Sequence, residues 1–354
     1  MTVARSRWGA RGVMVLAALG LPVLTGCSAA GGTPGPATSV VALRIDAPAR
    51  QPTWSDHARA LFALTDDHRI AKIDPSGRPS APPLARTTLS APFPDVGEDL
   101  LTPAVQGAVY LPQPGLGRVA VISDTDLHQV ATLAAGPAPS YLAVDSGSDD
   151  LLALSADRAT VTPVDLHDDT VLPAIDVHAG PAAELDAGER GRRIDYHLTG
   201  PEGITHYQGS PGRVADKGEI AISVRRAVSD RIKPSRLYVA EKGTDRLLAV
   251  DTRRTEDGLE VVARADLGEP AHYLGVDQTR IYAATEHQLV VLKTNSYEGY
   301  HDQTVPLVTT IGFRSALPGA ARDAPLSGLA VGPDRVYLTL QGQPYVLSIA
   351  KPSI

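Results

Sequence analysis

A strand-turn-strand unit recurs through most of this 354-residue chain and constrains its fold more than any other feature. Each unit has a short apolar run, a polar turn, and a second apolar run that often ends in Asp. The hairpins occupy residues 61–74, 109–123, 151–165, 194–208, 237–251, 281–293 and 336–349. Their starts lie 42 to 55 residues apart, which is the spacing of four-stranded blades in a β-propeller. The sequence therefore predicts an all-β, seven-bladed β-propeller. Six or eight blades remain alternatives, because the fourth hairpin is the weakest match.

Further strand patterns flank the hairpins and complete each blade. An inner strand precedes the hairpin, as at 141–145, 273–277 and 329–332, and an outer strand follows it, as at 130–133, 171–177 and 261–267. The last hairpin ends near Ile349 and leaves no residues for an outer strand. Val40–Ile45, an unassigned strand before the first blade, has the composition to fill that position. We therefore expect the N-terminal strand to complete the last blade and remove an open sheet edge.

The N-terminus indicates where the molecule is located. Arg5, Arg7 and Arg11 precede an apolar stretch over residues 13–23, which is shorter than the ~20 residues of a membrane span. Leu24-Thr25-Gly26-Cys27 then follows, and Cys27 is the only cysteine. This segment resembles a bacterial lipoprotein signal. The resemblance implies that residues 1–26 are removed and that Cys27 carries the lipid. A plain secretory signal with an incidental cysteine is the alternative.

The expected organisation follows from these segments. Residues 1–26 are the lipoprotein signal peptide, residues 27–38 are a flexible tether rich in Gly, Pro and small side chains, and residues 39–354 are the propeller. The expected location is the cell membrane, with the lipid-anchored (palmitate-type) domain facing outside the cytoplasm. A net charge of −7 gives no general reason to bind nucleic acid, so no nucleic-acid partner is expected. The Ala-, Val- and Gly-rich composition is typical of actinobacterial proteins.

The hairpins also resemble the YVTN repeat of surface-layer and exported bacterial proteins. The nearest match to its strand-turn-strand core is Leu237–Ala240 together with Leu247–Asp251. This resemblance implies a propeller fold and carries no chemistry with it.

Function in a propeller concentrates where the turns and inter-blade connections meet at one mouth of the central channel. The side chains expected there are mostly acidic, aromatic or imidazole. They are Trp54, Asp67, His68, Glu98, Tyr141, Asp157, Glu184, Glu202, Glu241, His272, Tyr273, Glu286 and His287. Such a ring would have a negative potential and would suit a cation, an amine or a polar, sugar-like ligand. Alternatively, these residues are solvated turn residues that cap their own backbone.

No serine-hydrolase elbow, zinc-protease motif, phosphate loop or dinucleotide fingerprint occurs, so no catalytic residue, metal or cofactor is predicted. The leading hypothesis is a non-enzymatic binding or scaffold protein of the cell envelope, with an envelope protein or a small polar ligand as partner. A lactonase-like hydrolase using Glu202, His272 and Glu286 is one alternative. Metal delivery through the pairs His197 with His206 and His272 with His287 is another.

The least repetitive stretch runs from Glu184 to Pro234 and carries basic clusters at 190–193 and 225–233. Its part from Gly209 to Pro234 is expected to be irregular. We interpret the stretch as blade four followed by an insertion that contacts a partner; the alternative is a surface loop that tolerates sequence drift.

Overall fold

The structure is a computed structural model that describes residues 40–78, 83–103, 107–188, 193–252 and 258–353. The expected signal, Cys27 and the tether lie outside these residues, as do Glu189, Arg190 and Arg192 of the basic stretch. Within the described ranges, no helix has both the length and the apolar character needed to cross a membrane. Residues from Thr38 onward form one compact unit.

Strands dominate the described residues, and they follow one another in antiparallel units. After β1 (Val40–Arg44), the first unit is β2 (Ala49–Ser55), β3 (Ala60–Thr65), β4 (Ile70–Arg78) and β5 (Leu84–Leu89). The second is β6 (Ala108–Gln113), β7 (Arg118–Ser123) and β8 (Gln129–Leu133). The third is β9 (Pro139–Asp145), β10 (Asp150–Ser155) and β11 (Thr160–Asp165), with the short edge strands β12 (Thr170–Val171) and β13 (Ile175–Asp176) both pairing with β11.

The second half of the chain repeats this order. The fourth unit is β14 (Glu184–Ala187), β15 (Ile194–Gly200), β16 (Gly203–Gly209) and β17 (Ala215–Ile220), and the fifth is β18 (Val224–Ser229), β19 (Arg236–Glu241), β20 (Arg246–Thr252) and β21 (Leu259–Asp266). The sixth is β22 (Tyr273–Val276), β23 (Arg280–Ala284), β24 (Gln288–Lys293) and β25 (Leu307–Gly312). The last is β26 (Leu326–Val331), β27 (Arg335–Leu340) and β28 (Tyr345–Ala350). Short 3₁₀ turns occupy Pro114–Leu116, Arg314–Ala316 and Gly319–Asp323.

The two ends of the described chain meet in one sheet. β1 pairs antiparallel with β28, with Val40 opposite Ile349 and Leu43 opposite Val346. The pairing of an N-terminal strand with the last hairpin, expected from the sequence, is therefore confirmed. A single parallel bridge from Arg44 to Leu84 also joins β1 to β5, so the first and last units form one continuous eight-stranded sheet.

The first strands of neighbouring units lie side by side around a common cavity. β9 lies against β6 and β14, β14 against β18, β18 against β22, and β26 against both β22 and β2. In the second unit the corresponding position is taken by residues 101–103, where Leu101 bridges to Tyr110 and Thr102 bonds Thr53 at 2.7 Å. The first strands and residues 101–103 line a cavity of about 730 Å³. The inner strands therefore surround a central channel.

The core lies between successive units rather than inside one of them. β3, β10 and β15 are buried along their whole length, because both faces of each of these strands pack against a neighbouring sheet. Phe62 and Leu64 of β3, for example, share a buried cluster with Val109 and Leu111 of β6. This packing explains why the hairpins appear in the sequence as continuous apolar runs and not as alternating patterns.

The expectation that the stretch from Gly209 to Pro234 is irregular is wrong. This stretch contains the two strands β17 and β18. β17 is the outer strand of the fourth unit and β18 is the inner strand of the fifth. Their side chains are mostly polar and only partly buried, so they lack the apolar run that identified the other strands. Arg225 and Arg226 therefore belong to a sheet that lines the channel and not to an inserted loop.

Candidate functional site

β-Bulges interrupt several inner strands close to where they begin. The pairing shifts at Gln51 and Pro52 in β2, at Ser140 in β9, at Arg225 in β18 and at Ser327 in β26. A bulge turns the side chain of the extra residue away from the regular pleat. Three of these side chains reach polar groups of a neighbouring unit. Ser140 Oγ lies 3.4 Å from Glu98 Oε1, Ser327 Oγ donates to the Ala49 carbonyl at 2.9 Å, and the Gln51 amide donates to the Glu98 carbonyl. This end of the channel is consequently cross-linked by polar contacts, and we call it the rim.

Glu98, Arg158 and Tyr141 form the first part of the rim. The Arg158 guanidinium donates to Glu98 Oε2 at 2.9 Å and lies 5.6 Å from the centre of the Tyr141 ring. The Arg158 side chain is only 5% exposed, whereas that of Glu98 is 57% exposed. A buried cation is thus held between an aromatic face and a carboxylate that water can reach.

Glu184, Arg226 and Tyr273 continue the rim across the next three units. Arg226 is paired with Glu184, and its guanidinium lies 5.3 Å from the centre of the Tyr273 ring. Burial, followed by the negative charge of Glu184, raises the pKa of Tyr141, so this second group lies next to the first. Asp99 is buried next to this group and accepts hydrogen bonds from the backbone N–H groups of Leu100 (2.8 Å) and Leu142 (3.2 Å). Burial raises the pKa of Asp99 to about 7.

His272 and Glu286 belong to the third part of the rim. His272 Nε2 lies 3.6 Å from Glu286 Oε2, and Arg314 binds the other oxygen of the same carboxylate at 2.8 Å. Burial, followed by the positive charge of Arg225, lowers the pKa of His272. The ring of His272 is thus favoured in its neutral form, which can accept a proton from a ligand or hydrogen-bond to it.

The charge of the rim differs from the sequence expectation of a negative mouth. Glu98, Glu184 and Glu286 are each paired with an arginine, namely Arg158, Arg226 and Arg314. Arg225 adds a further positive charge next to His272, and its Nε is buried without a hydrogen-bond partner among the described residues. The rim around His272 is consequently suited to an anionic or neutral polar group, because its carboxylates are already neutralised.

Three of the expected mouth residues, Trp54, His68 and His287, lie apart from this connected set, in or near the turns of hairpins. Trp54 stands near the end of β2, where its ring stacks on Tyr337 at 5.5 Å. His68 is exposed in the turn between β3 and β4 with a φ of 61°. His287 is also exposed, and its Nδ1 lies 3.0 Å from Glu269.

Glu202 lies in a cavity of its own. This cavity of about 190 Å³ is lined by residues between His178 and Ala221 only, and the Glu202 carboxylate lies close against Gly180. Of the three residues named for a hydrolase, His272 and Glu286 come together, whereas Glu202 belongs to this separate cavity. The remaining turn acids cap their own hairpins: Asp67 and Asp157 accept from Thr65 and Ser155, and Glu241 accepts from Thr244.

The histidine pair named for a metal meets inside the fourth unit. His197 and His206 are directly opposite each other on β15 and β16, with ring centres 4.8 Å apart. His206 Nε2 lies 2.9 Å from Asp195 Oδ1, while both ring nitrogens of His197 are buried without a hydrogen-bond partner among the described residues. No group of three or more His, Cys, Asp or Glu side chains in the described ranges has an arrangement that could hold a metal ion.

Replacement of the buried His197 by Leu is expected to stabilise the protein most at acidic pH. Burial lowers the pKa of His197 from 6.5 to about 3. Between these values the unfolded chain binds a proton that the folded protein excludes, so stability falls as pH falls from about 6.5 to 3. At pH 3 the resulting loss of unfolding free energy is about 4 kcal/mol. In His197→Leu this contribution is absent, and urea unfolding at pH 7 and pH 4 measures the difference.

The control for this prediction is His301→Leu, which alters an exposed histidine. It is expected to leave the pH dependence unchanged. Equal slopes of stability against pH in wild type and His197→Leu would contradict the assignment of the acid sensitivity to this side chain.

Three arginines hold the rim carboxylates. Sequence reasoning missed Arg158 and Arg314, and it placed Arg226 in a basic, partner-contacting stretch without pairing it with Glu184. The repeat itself contains a usable signal. Glu184 and Arg226 are 42 residues apart, as are Glu98 and Ser140, and Asp99 is 43 residues from Leu142. A separation of one repeat places two residues at equivalent positions of adjacent units. Polar residues one period apart could therefore have been paired from the sequence.

The sequence matches no protein-family model, and no curated protein sequence matches it. Solved structures do match the fold. Hydrazine synthase of Kuenenia stuttgartiensis is 13% identical, with a TM-score of 0.63 over 87% of this chain and 97% of that one. A chain of the mitotic checkpoint complex is 10% identical, with a TM-score of 0.63 over 88% and 94%. Raptor of Chaetomium thermophilum is 12% identical, with a TM-score of 0.64 over 88% of this chain and 29% of that one. At these identities the likeness concerns the fold alone. Together with the ring of antiparallel sheets, it identifies the fold as a β-propeller.

Proposed function

We propose that this chain is a lipid-anchored, seven-bladed β-propeller that acts as a binding protein on the outer side of the cytoplasmic membrane, with the rim as its contact surface. The observation that carries the proposal is the connected set of side chains from Glu98 through Tyr141, Glu184 and Tyr273 to His272. These groups are fixed by contacts between units, and several of them remain exposed to water.

Rigid placement favours recognition over catalysis at this surface. Polar and aromatic side chains that are already ordered lose little conformational entropy when a partner binds. Arg, Tyr and Trp are also the side chains that dominate binding energy in protein interfaces. The rim supplies arginines and tyrosines in alternation, and Arg225 and His272 lie together at one point of it. A partner that presents an acidic side chain there would meet a positive, partly dehydrated site.

The seven-bladed arrangement is supported by seven successive antiparallel units, and β1 completes the last of them. Five units are four-stranded, the second has three strands and a bridge from Leu101, and the third has the two short edge strands β12 and β13. The anchoring is supported by the resemblance of residues 1–27 to a lipoprotein signal. One of the similar structures is that of an assembly, the mitotic checkpoint complex. A role in binding another protein would be consistent with such a use of the fold.

The proposal predicts that two single substitutions separate anchoring from binding. Chemical cross-linking in intact cells that produce the wild-type chain is expected to enrich one envelope partner. Arg225→Glu is expected to lower the partner yield about ten-fold, because it places a like charge opposite the acidic group of the partner.

Cys27→Ser is expected to move the chain from the membrane fraction to the soluble fraction. Mass spectrometry of the N-terminal peptide should then show no acyl group.

Arg213→Glu is the matched control for the rim substitution, because Arg213 is exposed on another part of the protein. It is expected to leave the cross-linked yield unchanged. Equal yields for the two charge reversals would remove the rim from the proposal, and a Cys27→Ser chain that stays in the membrane fraction would remove the lipid anchor.

A further inference from the structure

A further cavity lies outside the rim, where the first and last units meet. It has a volume of about 560 Å³, within the range of roughly 300–1,000 Å³ that small-molecule sites occupy. It is lined by the turn between β2 and β3, by β4 and β5, and by residues 333–337 at the start of β27. We call this cavity the junction cleft.

The floor of the junction cleft is aromatic. Trp54 and Tyr337 are stacked with 5° between their planes, and the indole N–H of Trp54 donates to Asp56 Oδ1 at 2.8 Å. Tyr337 is buried, whereas Trp54 is partly exposed and lines both the cleft and the central cavity. Because one face of the indole is covered by Tyr337 and its N–H is engaged, the ring is held in a fixed orientation.

The walls of the cleft are mainly cationic in a protein of net charge −7. Arg59, Lys72, Arg86 and Arg335 line it, against two carboxylates, Asp74 and Asp334. Asp74 is engaged by its own turn, because the Ser76 N–H and hydroxyl donate to Oδ1 at 3.0 and 2.6 Å.

The cations next to the aromatic floor are bound by neutral groups. Lys72 Nζ donates to the backbone carbonyls of Asp124 (2.6 Å) and Thr125 (3.1 Å). The Arg335 guanidinium donates to the hydroxyl and the carbonyl of Ser348, at 2.5 and 2.7 Å. Carbonyl and hydroxyl acceptors hold these side chains in place. The hydrogen bond from Ser76 and the positive charges of Arg86 and Lys72 lower the pKa of Asp74, so the two carboxylates offset only part of the four positive charges of the cleft.

We infer that the junction cleft binds a small ring-shaped ligand that carries an acidic group, such as a sugar with a carboxylate or a phosphate. The flat face of the ring packs on Trp54, and the anionic group lies between the arginine and lysine side chains of the walls. A saturated sugar ring fits a fixed indole because its C–H groups lie against the electron-rich face. The cations supply charge-assisted hydrogen bonds to the acidic group. This site is separate from the rim and does not depend on the lipid anchor.

The sequence provides a direct reporter for this site. The chain has two tryptophans, Trp8 and Trp54, and Trp8 lies in the segment expected to be removed. Titration of the mature protein with glucuronate, glucose 6-phosphate, glucose and inorganic phosphate is therefore followed by tryptophan fluorescence and by calorimetry. We expect saturable changes with the two acidic sugars and at least about ten-fold weaker binding of glucose, because glucose has no charged group for the cations of the walls to bind.

Arg59→Gln/Arg86→Gln tests the cations without affecting the fold, because both side chains are exposed. This double variant is expected to weaken glucuronate binding about ten-fold or more, and added salt should weaken it in the wild type. Arg213→Gln/Lys242→Gln removes the same charge from exposed positions elsewhere and should bind like the wild type.

Three outcomes would overturn the inference. The first is the absence of saturable binding, and the second is equal binding of glucose and glucuronate. The third is equal binding of inorganic phosphate and glucose 6-phosphate, which would show an anion site with no role for the ring. Arg225→Glu on the rim should leave these titrations unchanged. Failure at the cleft is therefore distinguishable from failure of the proposed rim function.

Discussion

Deletion of residues 39–46 is expected to remove most of the thermodynamic stability of the propeller domain. The deleted segment contains β1, whose Ala42 and Leu43, together with Ile45 just beyond it, are buried. Each Leu or Ile side chain contributes about 1.5–3 kcal/mol when fully buried. The deletion also leaves the edge of β28 without its hydrogen-bonding partner. Because domains of this kind have a total stability of only about 5–15 kcal/mol, a large fall in the urea midpoint, or loss of folding, is expected.

The reason for this large effect is that β1 belongs to two core clusters at once. Ala42 packs with Leu338 and Leu347 between the sixth and last units. Leu43 packs with Leu61 and other residues between the last and first units. A strand at this position therefore joins both interfaces of the closing blade, and its loss opens the ring at one point.

Point variants separate this packing effect from the effect of shortening the chain. Leu43→Ala is expected to cost about 2–5 kcal/mol, as buried leucines do, and Leu89→Ala in β5 is the matched control because Leu89 is 37% exposed. A synthetic peptide of residues 39–46 should partly restore the melting temperature of the deletion variant. An unchanged melting temperature after deletion would show that β1 does not close the ring.

The hairpins and the closing strand could be predicted from the sequence because burial determines them. Strands such as β3 and β10 are covered on both faces, so they appear as apolar runs that recur with the repeat. β17 and β18 could not be recognised in this way. Their exposed or channel-facing positions tolerate sequences such as ADKGEI and VRRAVS, in which charge obscures the strand pattern.

The candidate site was only partly predictable, for a related reason. Turn and strand-end positions indicated Glu98, Tyr141, Glu184, Tyr273 and His272, which the structure brings to the rim. The sign of the local charge depended on Arg158, Arg226 and Arg314. The first two come from a neighbouring unit, and contacts of that kind are not visible within one repeat. Glu202 illustrates the opposite error: its turn position is equivalent to that of other candidates, but its carboxylate lies against Gly180 in a separate cavity.

A second large effect is expected from Asp251→Asn in the fifth unit. Arg236 is opposite Asp251 on β19 and β20, and its guanidinium makes two parallel hydrogen bonds to the carboxylate, at 2.7 and 3.0 Å. The Arg236 side chain is only 2% exposed, and its guanidinium lies 4.6 Å from the centre of the Tyr300 ring. Lys233 binds the same carboxylate. One negative charge therefore compensates two cations, of which one is fully buried.

Loss of that carboxylate charge leaves the Arg236 guanidinium without compensation in the protein interior. Removing one partner of a buried ion pair costs about 3–5 kcal/mol, because the remaining charge stays dehydrated. The free energy of unfolding of Asp251→Asn, measured in urea at pH 7, is expected to fall by that amount. The slope against urea should stay the same, since the surface exposed on unfolding does not change.

Two further variants identify the buried charge as the cause of this loss. Arg236→Met/Asp251→Leu removes both charges, and it should be more stable than Asp251→Asn, because apolar side chains of similar size replace a buried pair at little cost. Asp67→Asn breaks the exposed pair with Arg69 and should leave the urea midpoint nearly unchanged. If the double variant were less stable than Asp251→Asn, the stability would depend on the hydrogen bonds and ring contact of Arg236 itself, and the argument from an uncompensated charge would be wrong.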